Sequence, residues 1–321
     1  MGILKKIFIT FIILLAMGLL MFYPWQKAQP IQYIERASGQ IKTEKVPSAY
    51  WLNWLYYHPV GKIGLETMVK KKFLSDWYGE QMDKPSSTEK IEEFVKEYNI
   101  KMDDYVEQDY ESFNEFFYRK LKPNARKINQ DSMILISPAD GKVLAYSNIQ
   151  NQDFIVKGYS FNLHSYLQND SLANLFQNAG LYIIRLCPTD YHRYHFPATG
   201  EIVFSQNIEG YYYSVSPMAL KKKVALITMN KRDYSVIRTQ EFGDIIYSEV
   251  AATMVGSMVD TYQDSQVNKG EEKGYFKFGG STIILILHTD SIHMDVDLLQ
   301  STQNQFETEI KMGQQIGKAN I

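Results

Sequence analysis

The stretch "KGYFKFGGSTIILIL", residues 273–287, carries the strongest structural signal in the chain. An aromatic segment leads into Gly279 and Gly280, and a Ser-Thr pair then precedes a run of β-branched and aliphatic residues. Glycine permits a tight or strained backbone, and a short apolar run after such a turn is typical of a buried strand. The stretch therefore predicts a glycine bend that feeds a strand in the core.

From about residue 132 the chain alternates short β-favouring runs with turn residues. The runs "GKVLAYS", "KVALITMN" and "DIIYSEVAATMVGSM" are examples. This texture is typical of a twisted antiparallel sheet or sandwich. One helical interruption is expected near "SLANLFQNAG".

Helices are predicted before this β-rich region. Ser86 and Glu89 form a capping box ahead of a segment whose apolar residues recur at helical spacing. A second helix is expected over residues 110–121, and Pro123 ends the helical region. The fold class is accordingly α+β, with an N-terminal membrane helix and helical cap followed by a β-rich, mainly antiparallel body.

The N-terminus resembles a membrane anchor. Lys5 and Lys6 precede residues 7–25, which carry no charge. An apolar run of about 20 residues can span a bilayer as one helix. A cleaved signal peptide is the alternative, but no clear small-x-small site follows the run. We expect attachment to the cell membrane through this single helix, and flanking lysines and arginines do not decide its orientation.

Three regions follow from these patterns. Residues 1–27 form the anchor, 28–130 a linker and helical membrane-proximal cap, and 131–321 the β-rich catalytic body. The aromatic and lysine-rich segment 50–74 is either a helical hairpin packed on the body or an interfacial helix whose lysines meet anionic lipid.

Composition excludes some functional classes. The formal net charge of −2 offers no strong basic field, so we expect no nucleic-acid partner. The single cysteine, Cys187, cannot form an intrachain disulfide.

Three segments carry residues suited to chemistry: Asp140 in "SPADGKV", His192 and His195 in "CPTDYHRYHFPATG", and Ser281 in "FGGST". Each has an ordinary structural explanation: a turn aspartate, histidines bonded to carbonyls, and a glycine bend. Together, Asp140, His195 and Ser281 supply an orienting carboxylate, a general base and a nucleophile. The His-x-x-His spacing also invites a metal, but no further histidine or cysteine set completes a site, so no metal is expected.

Six ordered segments together resemble phosphatidylserine decarboxylase proenzymes. They are "FNEFFYRKLKPNARKI", "SPADGKV", "DYHRYHFPATG", "YYSVSPMAL", "ATMVGSM" and "KGEEKGYFKFGGSTIILIL". The resemblance covers about residues 50–317 and includes the closing "KMGQQIG". Two positions depart from the usual pattern: Gly279 stands where the family often has leucine, and Ser216 where it often has asparagine.

The resemblance implies self-cleavage between Gly280 and Ser281 into a β chain (1–280) and an α chain (281–321). Ser281 would become a pyruvoyl group, which serves as the covalent cofactor. By this reading His195, held by Asp140, deprotonates Ser281, and His192 is a candidate for orienting the substrate carboxylate or supplying a proton. The implied reaction is decarboxylation of phosphatidylserine in a bilayer to phosphatidylethanolamine.

Other functions and contacts stay open at this point. A membrane-tethered Asp-His-Ser hydrolase, a zinc enzyme built on the two histidines and a scaffold that has lost processing are the alternatives. A homodimer is a possible assembly besides the pairing of the α and β chains. Arg119, Arg126 and the Asn230–Arg232 pair are candidates for contacts to the lipid phosphate.

Overall fold

The computed structural model describes residues 2–21, 28–149, 162–220, 226–253 and 257–320. Its helices in these ranges are α1 Gly2–Met21, α2 Ala49–Tyr57, α3 Pro59–Gly64, α4 Lys72–Met82, α5 Glu89–Tyr98, α6 Phe113–Phe117, α7 Leu163–Leu167, α8 Asp170–Leu175, α9 Pro217–Leu220, α10 Leu226–Met229 and α11 Val296–Gln303. Short 3₁₀ turns cover Pro85–Thr88, Met102–Asp104 and Thr289–Ser291, and Leu65–Val69 forms a π-helical turn.

Most of the strands belong to the second half of the chain, as the β-favouring runs predict. They are β1 Gln32–Glu35, β2 Gln40–Thr43, β3 Ile134–Ile136, β4 Gly141–Tyr146, β5 Ala179–Leu186, β6 Arg193–His195, β7 Gly200–Ile208, β8 Arg232–Thr239, β9 Gly243–Ala251, β10 Met258–Asp260, β11 Gln266–Val267, β12 Glu272–Phe276, β13 Ser281–His288, β14 Ile292–Met294, β15 Glu307–Ile310 and β16 Gln315–Ala319. The α+β class with a large, mainly antiparallel sheet is confirmed.

One large sheet organises the molecule, in the order β11-β7-β8-β9-β13-β5-β4-β15-β1-β2. Among its described pairings only β1 with β15 is parallel. Two three-stranded sheets, β10-β12-β6 and β14-β16-β3, complete the β structure. The predicted strand after the double glycine is β13, and it lies between β9 and β5 near the middle of the large sheet.

The centre of the large sheet is buried on both faces, which explains the unbroken apolar run of β13. Alternate side chains of a strand point to opposite faces. Ile283, Leu285 and Leu287 enter one apolar cluster, here called the first core. Ile284 and Ile286 enter the cluster on the other face, the second core.

The helical region differs from the sequence prediction at its boundaries. A 3₁₀ turn over Pro85–Thr88 precedes α5, so the helix begins at Glu89 and Ser86 does not act as its cap. The second predicted helix is shorter than expected, because α6 covers only Phe113–Phe117. Ser112 caps α6 by accepting the backbone N–H of Glu115.

The start of region 28–130, predicted as a linker, contains the hairpin β1–β2, which forms one edge of the large sheet. Two sets of ion pairs attach this edge. Arg36 bonds Asp295 and Asp297 at 2.7 Å each, and Glu44 bonds Arg185 at 2.6 Å. Local sequence patterns do not show partners this distant along the chain. For that reason the polar composition suggests an unstructured linker.

The N-terminal prediction has only a partial structural counterpart. Helix α1 covers Gly2–Met21, whereas the uncharged run continues to residue 25, and residues 22–27 lie outside the described ranges. Over the residues that the structure describes, no helix combines the length and apolarity required to cross a membrane. The predicted transmembrane helix is therefore not confirmed.

Candidate active site

Ser281 is the first residue of β13 and pairs with Ala251 on β9 and Leu186 on β5. The strand alternation directs its side chain to the face of the first core, and the residue is fully buried. Its Oγ has no hydrogen-bond partner among the described residues. Most buried hydroxyls are satisfied, so an orphaned one in a central strand invites a functional explanation.

The double glycine forms the bend that the sequence predicts. Gly279 has φ = 143°, a conformation that residues with a side chain rarely adopt. The bend places Gly280 against Thr253, whose carbonyl accepts the Gly280 N–H at 3.5 Å. The positive φ at position 279 therefore suits glycine better than the leucine that the family often has there.

Helix α6 braces the segment that leads into this bend. The amide oxygen of Asn114 accepts the backbone N–H of Phe278 at 2.7 Å. The same amide donates to Asp83 at 2.9 Å, and Phe113 and Phe117 pack edge-on against the Phe278 ring. Sequence reasoning did not assign Asn114 a role, although it lies in the quoted "FNEFF" segment.

The two histidines lie on extended backbone, at and just before β6. His195 pairs with Glu272 on β12, and the carbonyl of His192 accepts the N–H of Phe276 at 3.0 Å. Residues three apart on an extended chain point to opposite sides, so the imidazoles do not share a face. Among the described residues, no group of three metal-binding side chains lies together.

His195 has both ring nitrogens engaged. Nδ1 lies 3.0 Å from the carbonyl oxygen of Gly270, and Nε2 lies 3.1 Å from the hydroxyl of Tyr191. Because a carbonyl can only accept, Nδ1 carries the hydrogen and Nε2 is the basic nitrogen. Burial lowers the pKa of His195, and the bond to Gly270 opposes this shift. The ring is therefore a neutral base near pH 7.

His192 is more deeply isolated. Its ring lies against Phe117 with 3.8 Å between ring centres, and Nδ1 lies 3.0 Å from the carbonyl oxygen of Asp190. Burial lowers the pKa of His192 to about 3, although the nearby Asp190 opposes the shift. Nε2 has no hydrogen-bond partner in the described part of the chain. This nitrogen is a free acceptor in a dry setting.

Asp140 is buried in the turn before β4, but its carboxylate points to other partners than His195. It accepts two bonds from Arg126, at 3.1 and 2.7 Å, and one from the N–H of Met312 at 2.8 Å. The link to His195 runs through the backbone, where the His195 N–H donates to the carbonyl of Pro138 at 2.8 Å.

The three predicted triad members thus lie on separate elements, and their side chains are not joined. Within the described ranges, no hydrogen bond connects the side chains of Asp140, His195 and Ser281. The two histidines also pair with β12 at different distances from the glycine bend. His195 faces Glu272, whereas His192 adjoins Phe276, four residues closer to Ser281 along the chain.

A buried ion pair beside Ser281 was not foreseen. Glu249 on β9 is the cross-strand partner of Ile283, which follows Ser281 by two residues on β13. Its side chain therefore lies on the same sheet face as that of Ser281. Lys273 Nζ is 2.7 Å from its carboxylate. Burial raises the pKa of Glu249 to about 8, although Lys273 opposes the rise. The signal available in sequence was a lone glutamate within the apolar run "IIYSEVAA".

The arginines proposed as phosphate contacts bind groups of the protein itself. Arg232 is buried and donates to four backbone carbonyl oxygens, including those of Tyr166 and Asn230. Arg119 is buried and donates to the carbonyls of Phe116 and Thr189. Arg126 holds Asp140, so these guanidinium groups support the fold around the site.

Comparison with known proteins agrees with the quoted motifs. The family model described as phosphatidylserine decarboxylase matches residues 113–318. A phosphatidylserine decarboxylase proenzyme of Fusobacterium nucleatum is 50% identical over 90% of this chain and 98% of that protein. Proteins of the same name from Clostridium novyi and Clostridium botulinum (strain Kyoto) are 46% and 44% identical over 89% of this chain and 99% of theirs.

These names support a decarboxylase rather than the tethered hydrolase. The match spans the helical region, both histidines and the glycine bend, over nearly the full length of each relative. The chain belongs to the phosphatidylserine decarboxylase family.

Proposed function

We propose that this protein is a self-processing, pyruvoyl-dependent enzyme that decarboxylates phosphatidylserine to phosphatidylethanolamine. The observation that carries the proposal is Ser281: a buried hydroxyl without a partner, directly after the Gly279–Gly280 bend. The names of the relatives, all proenzymes, support a chain that must be cut before it acts.

In the first stage Ser281 Oγ attacks the carbonyl carbon of Gly280, and the peptide bond is exchanged for an ester. Elimination then breaks the ester, releases the β chain with the Gly280 carboxylate and leaves dehydroalanine at residue 281. Water converts this residue to pyruvoyl and releases ammonia. The covalent route divides one difficult cleavage into easier steps.

His195 takes the Ser281 proton in this scheme. Its Nε2 is the basic nitrogen but accepts from Tyr191 in the conformation described, so the ring turns towards Ser281 for the reaction. Asp140, held by Arg126, stabilises the imidazolium that forms.

The pyruvoyl carbonyl supplies the electron sink for loss of CO₂, so the enzyme uses no separately bound cofactor. The site suits such a group, because residue 281 lies in a water-poor core where no described polar partner holds its side chain. His192, neutral and with a free Nε2, accepts a proton given up by the substrate's ammonium group when the amine reacts, and returns it to the substrate's α-carbon after CO₂ leaves.

Intact mass and decarboxylation, measured on four variants, test this scheme. Ser281→Ala and His195→Ala should leave one uncut chain, whereas the natural protein yields an α chain of 321 − 280 = 41 residues. Asp140→Asn should cut more slowly, because the neutral amide stabilises the His195 imidazolium less than the carboxylate does. His192→Ala should cut but decarboxylate poorly. Complete cleavage of either the Ser281 or the His195 variant would refute the mechanism.

The two products should stay together after cleavage. Strand β13 belongs to the α chain, and its partners β5 and β9 belong to the β chain. Eight residues of β13 pair with β5, so separating the chains would expose the centre of the large sheet. Co-elution of both chains in size-exclusion chromatography tests this, and sedimentation of the same sample tests the predicted homodimer.

We also propose that residues 1–27 attach the protein to the cell membrane, with residues 28–130 as the membrane-proximal cap of a catalytic body over 131–321. Trp51 on α2 and Phe73 and Trp77 on α4 are exposed, as expected of an interfacial surface. Carbonate extraction should leave the full chain in membranes and release a chain that begins near residue 28.

A further inference from the structure

A cavity of about 260 Å³ opens between α4 and the ends of β8 and β9. Its lining includes Lys72 and Asp76 from α4, Lys231 and Asp233 at the start of β8, and Ala251 at the end of β9. Concave sites with a few converging polar groups are where small ligands usually bind.

The inner wall of this cavity adjoins Ser281. Ala251 is the direct cross-strand partner of Ser281. Asp233 pairs with Glu249, which precedes Ala251 by two residues, so these side chains share the sheet face of the first core with Ser281. A molecule bound in the cavity therefore lies beside the residue at which the chemistry is proposed.

The mouth of the cavity adjoins an exposed apolar surface. Lys72 and Asp76 are one helical turn apart on α4 and face the cavity. Phe73 and Trp77, the next residue after each, are 74% and 49% exposed. One helix thus carries an aromatic surface suited to a lipid interface next to a charged opening.

One cation at this opening has no ion-pair partner, and a second has only a weak one. In the part of the chain that the structure describes, Lys72 forms no ion pair. Lys231 lies 3.2 Å from Glu209, whose side chain is exposed, so this pair is weak. By contrast, the buried guanidinium groups of Arg119 and Arg232 are already used by backbone carbonyls.

We propose that this cavity holds the phosphodiester headgroup of the substrate, with Lys72 and Lys231 contacting the phosphate. The inference rests on the proposed function and names the residues that select its substrate. Two ammonium groups form charge-assisted hydrogen bonds with a phosphate. Asp76 and Asp233 beside them disfavour a simple anion and suit a headgroup that also carries an ammonium group.

Binding to the uncut Ser281→Ala chain tests the subsite without turnover. Calorimetry with soluble glycerophosphoserine should show roughly tenfold weaker binding for Lys72→Gln and for Lys231→Gln, because each removes a charge-assisted bond. Lys71→Gln is the matched control: it removes a neighbouring exposed charge outside the cavity lining and should bind within about twofold of the parent.

A second arm separates a lipid headgroup from free phosphate. Inorganic phosphate should bind the parent chain far more weakly than glycerophosphoserine, and a short-chain phosphatidylserine in micelles should show the same order of variants. Equal binding of inorganic phosphate, or headgroup binding that is unchanged in the Lys72→Gln, Lys231→Gln double variant, would overturn the subsite.

Kinetics of the self-cleaving chain distinguish this proposal from the proposed function. Lys72→Gln should still be cut at Gly280–Ser281 and should raise KM for phosphatidylserine with little change in kcat. An uncut or inactive parent chain would refute the proposed function. A cleaved, active Lys72→Gln chain with an unchanged KM would refute only the subsite.

Discussion

Removing Glu249 from the buried Glu249–Lys273 pair should destabilise the protein more than removing both partners. The carboxylate and Nζ are 2.7 Å apart, and the two side chains are only 1% and 3% exposed. Glu249→Leu leaves the Lys273 ammonium buried with only a 3.4 Å contact to Asp260, at a cost of about 3–5 kcal/mol in unfolding free energy. Lys273→Met leaves a buried carboxyl that is mostly protonated near pH 7 and has lost its partner, at a cost of about 1–3 kcal/mol. The double variant leaves neither group and should stay within about 1–2 kcal/mol of the parent, a coupling of about 2 kcal/mol or more.

Urea unfolding followed by tryptophan fluorescence, in the uncut Ser281→Ala background, measures this coupling. The surface pair Lys122–Glu107 is the control, because its atoms are 3.4 Å apart and both side chains are exposed. Its coupling should be below about 1 kcal/mol. A double variant of the buried pair that loses as much stability as the two single variants combined would refute the reasoning.

Three further predictions follow from buried groups near the site. Because burial raises the pKa of Glu249 to about 8 from 4.5, its contribution to stability is present below pH 4.5 and is lost as the pH rises through 8. Glu249→Gln should therefore show a smaller fall in urea midpoint across that range than the parent; an identical fall would contradict this. Burial opposes ionisation of Asp190, but Lys142 at 3.0 Å outweighs it and lowers the Asp190 pKa. Asp190→Asn should cost about 3–5 kcal/mol near pH 7, measured by urea unfolding, and a loss below about 1 kcal/mol would show that Lys142 finds another partner. Asn114→Ala leaves the Phe278 N–H without its acceptor, at a cost of about 1–3 kcal/mol, and should slow self-cleavage in a mass-spectrometric time course. Cleavage at the parental rate would mean that other contacts hold the bend.

Local patterns were enough to predict the central strand and its glycine bend. The aliphatic run of β13 is readable because both faces of the strand are buried, so every residue in it must be apolar. The bend is readable because Gly279 has a positive φ that glycine tolerates best. The same reasoning predicted the β-rich second half and its antiparallel character.

Partnerships between distant residues were decided by the tertiary structure. The side chain of Asp140 bonds Arg126 rather than His195, and Glu249 is paired with Lys273. Neither pairing was predicted, because spacing along the chain does not show which opposite charge is nearest in space.

The backbone around the histidines follows the same rule. His192 and His195 stand on opposite sides because β12 draws their segment into an extended ladder, whereas the His-x-x-His spacing alone is equally compatible with a helical turn. Sequence periodicity reports which residues are buried within one element. Which elements meet, and therefore which polar groups share a site, depends on the packing of the whole chain.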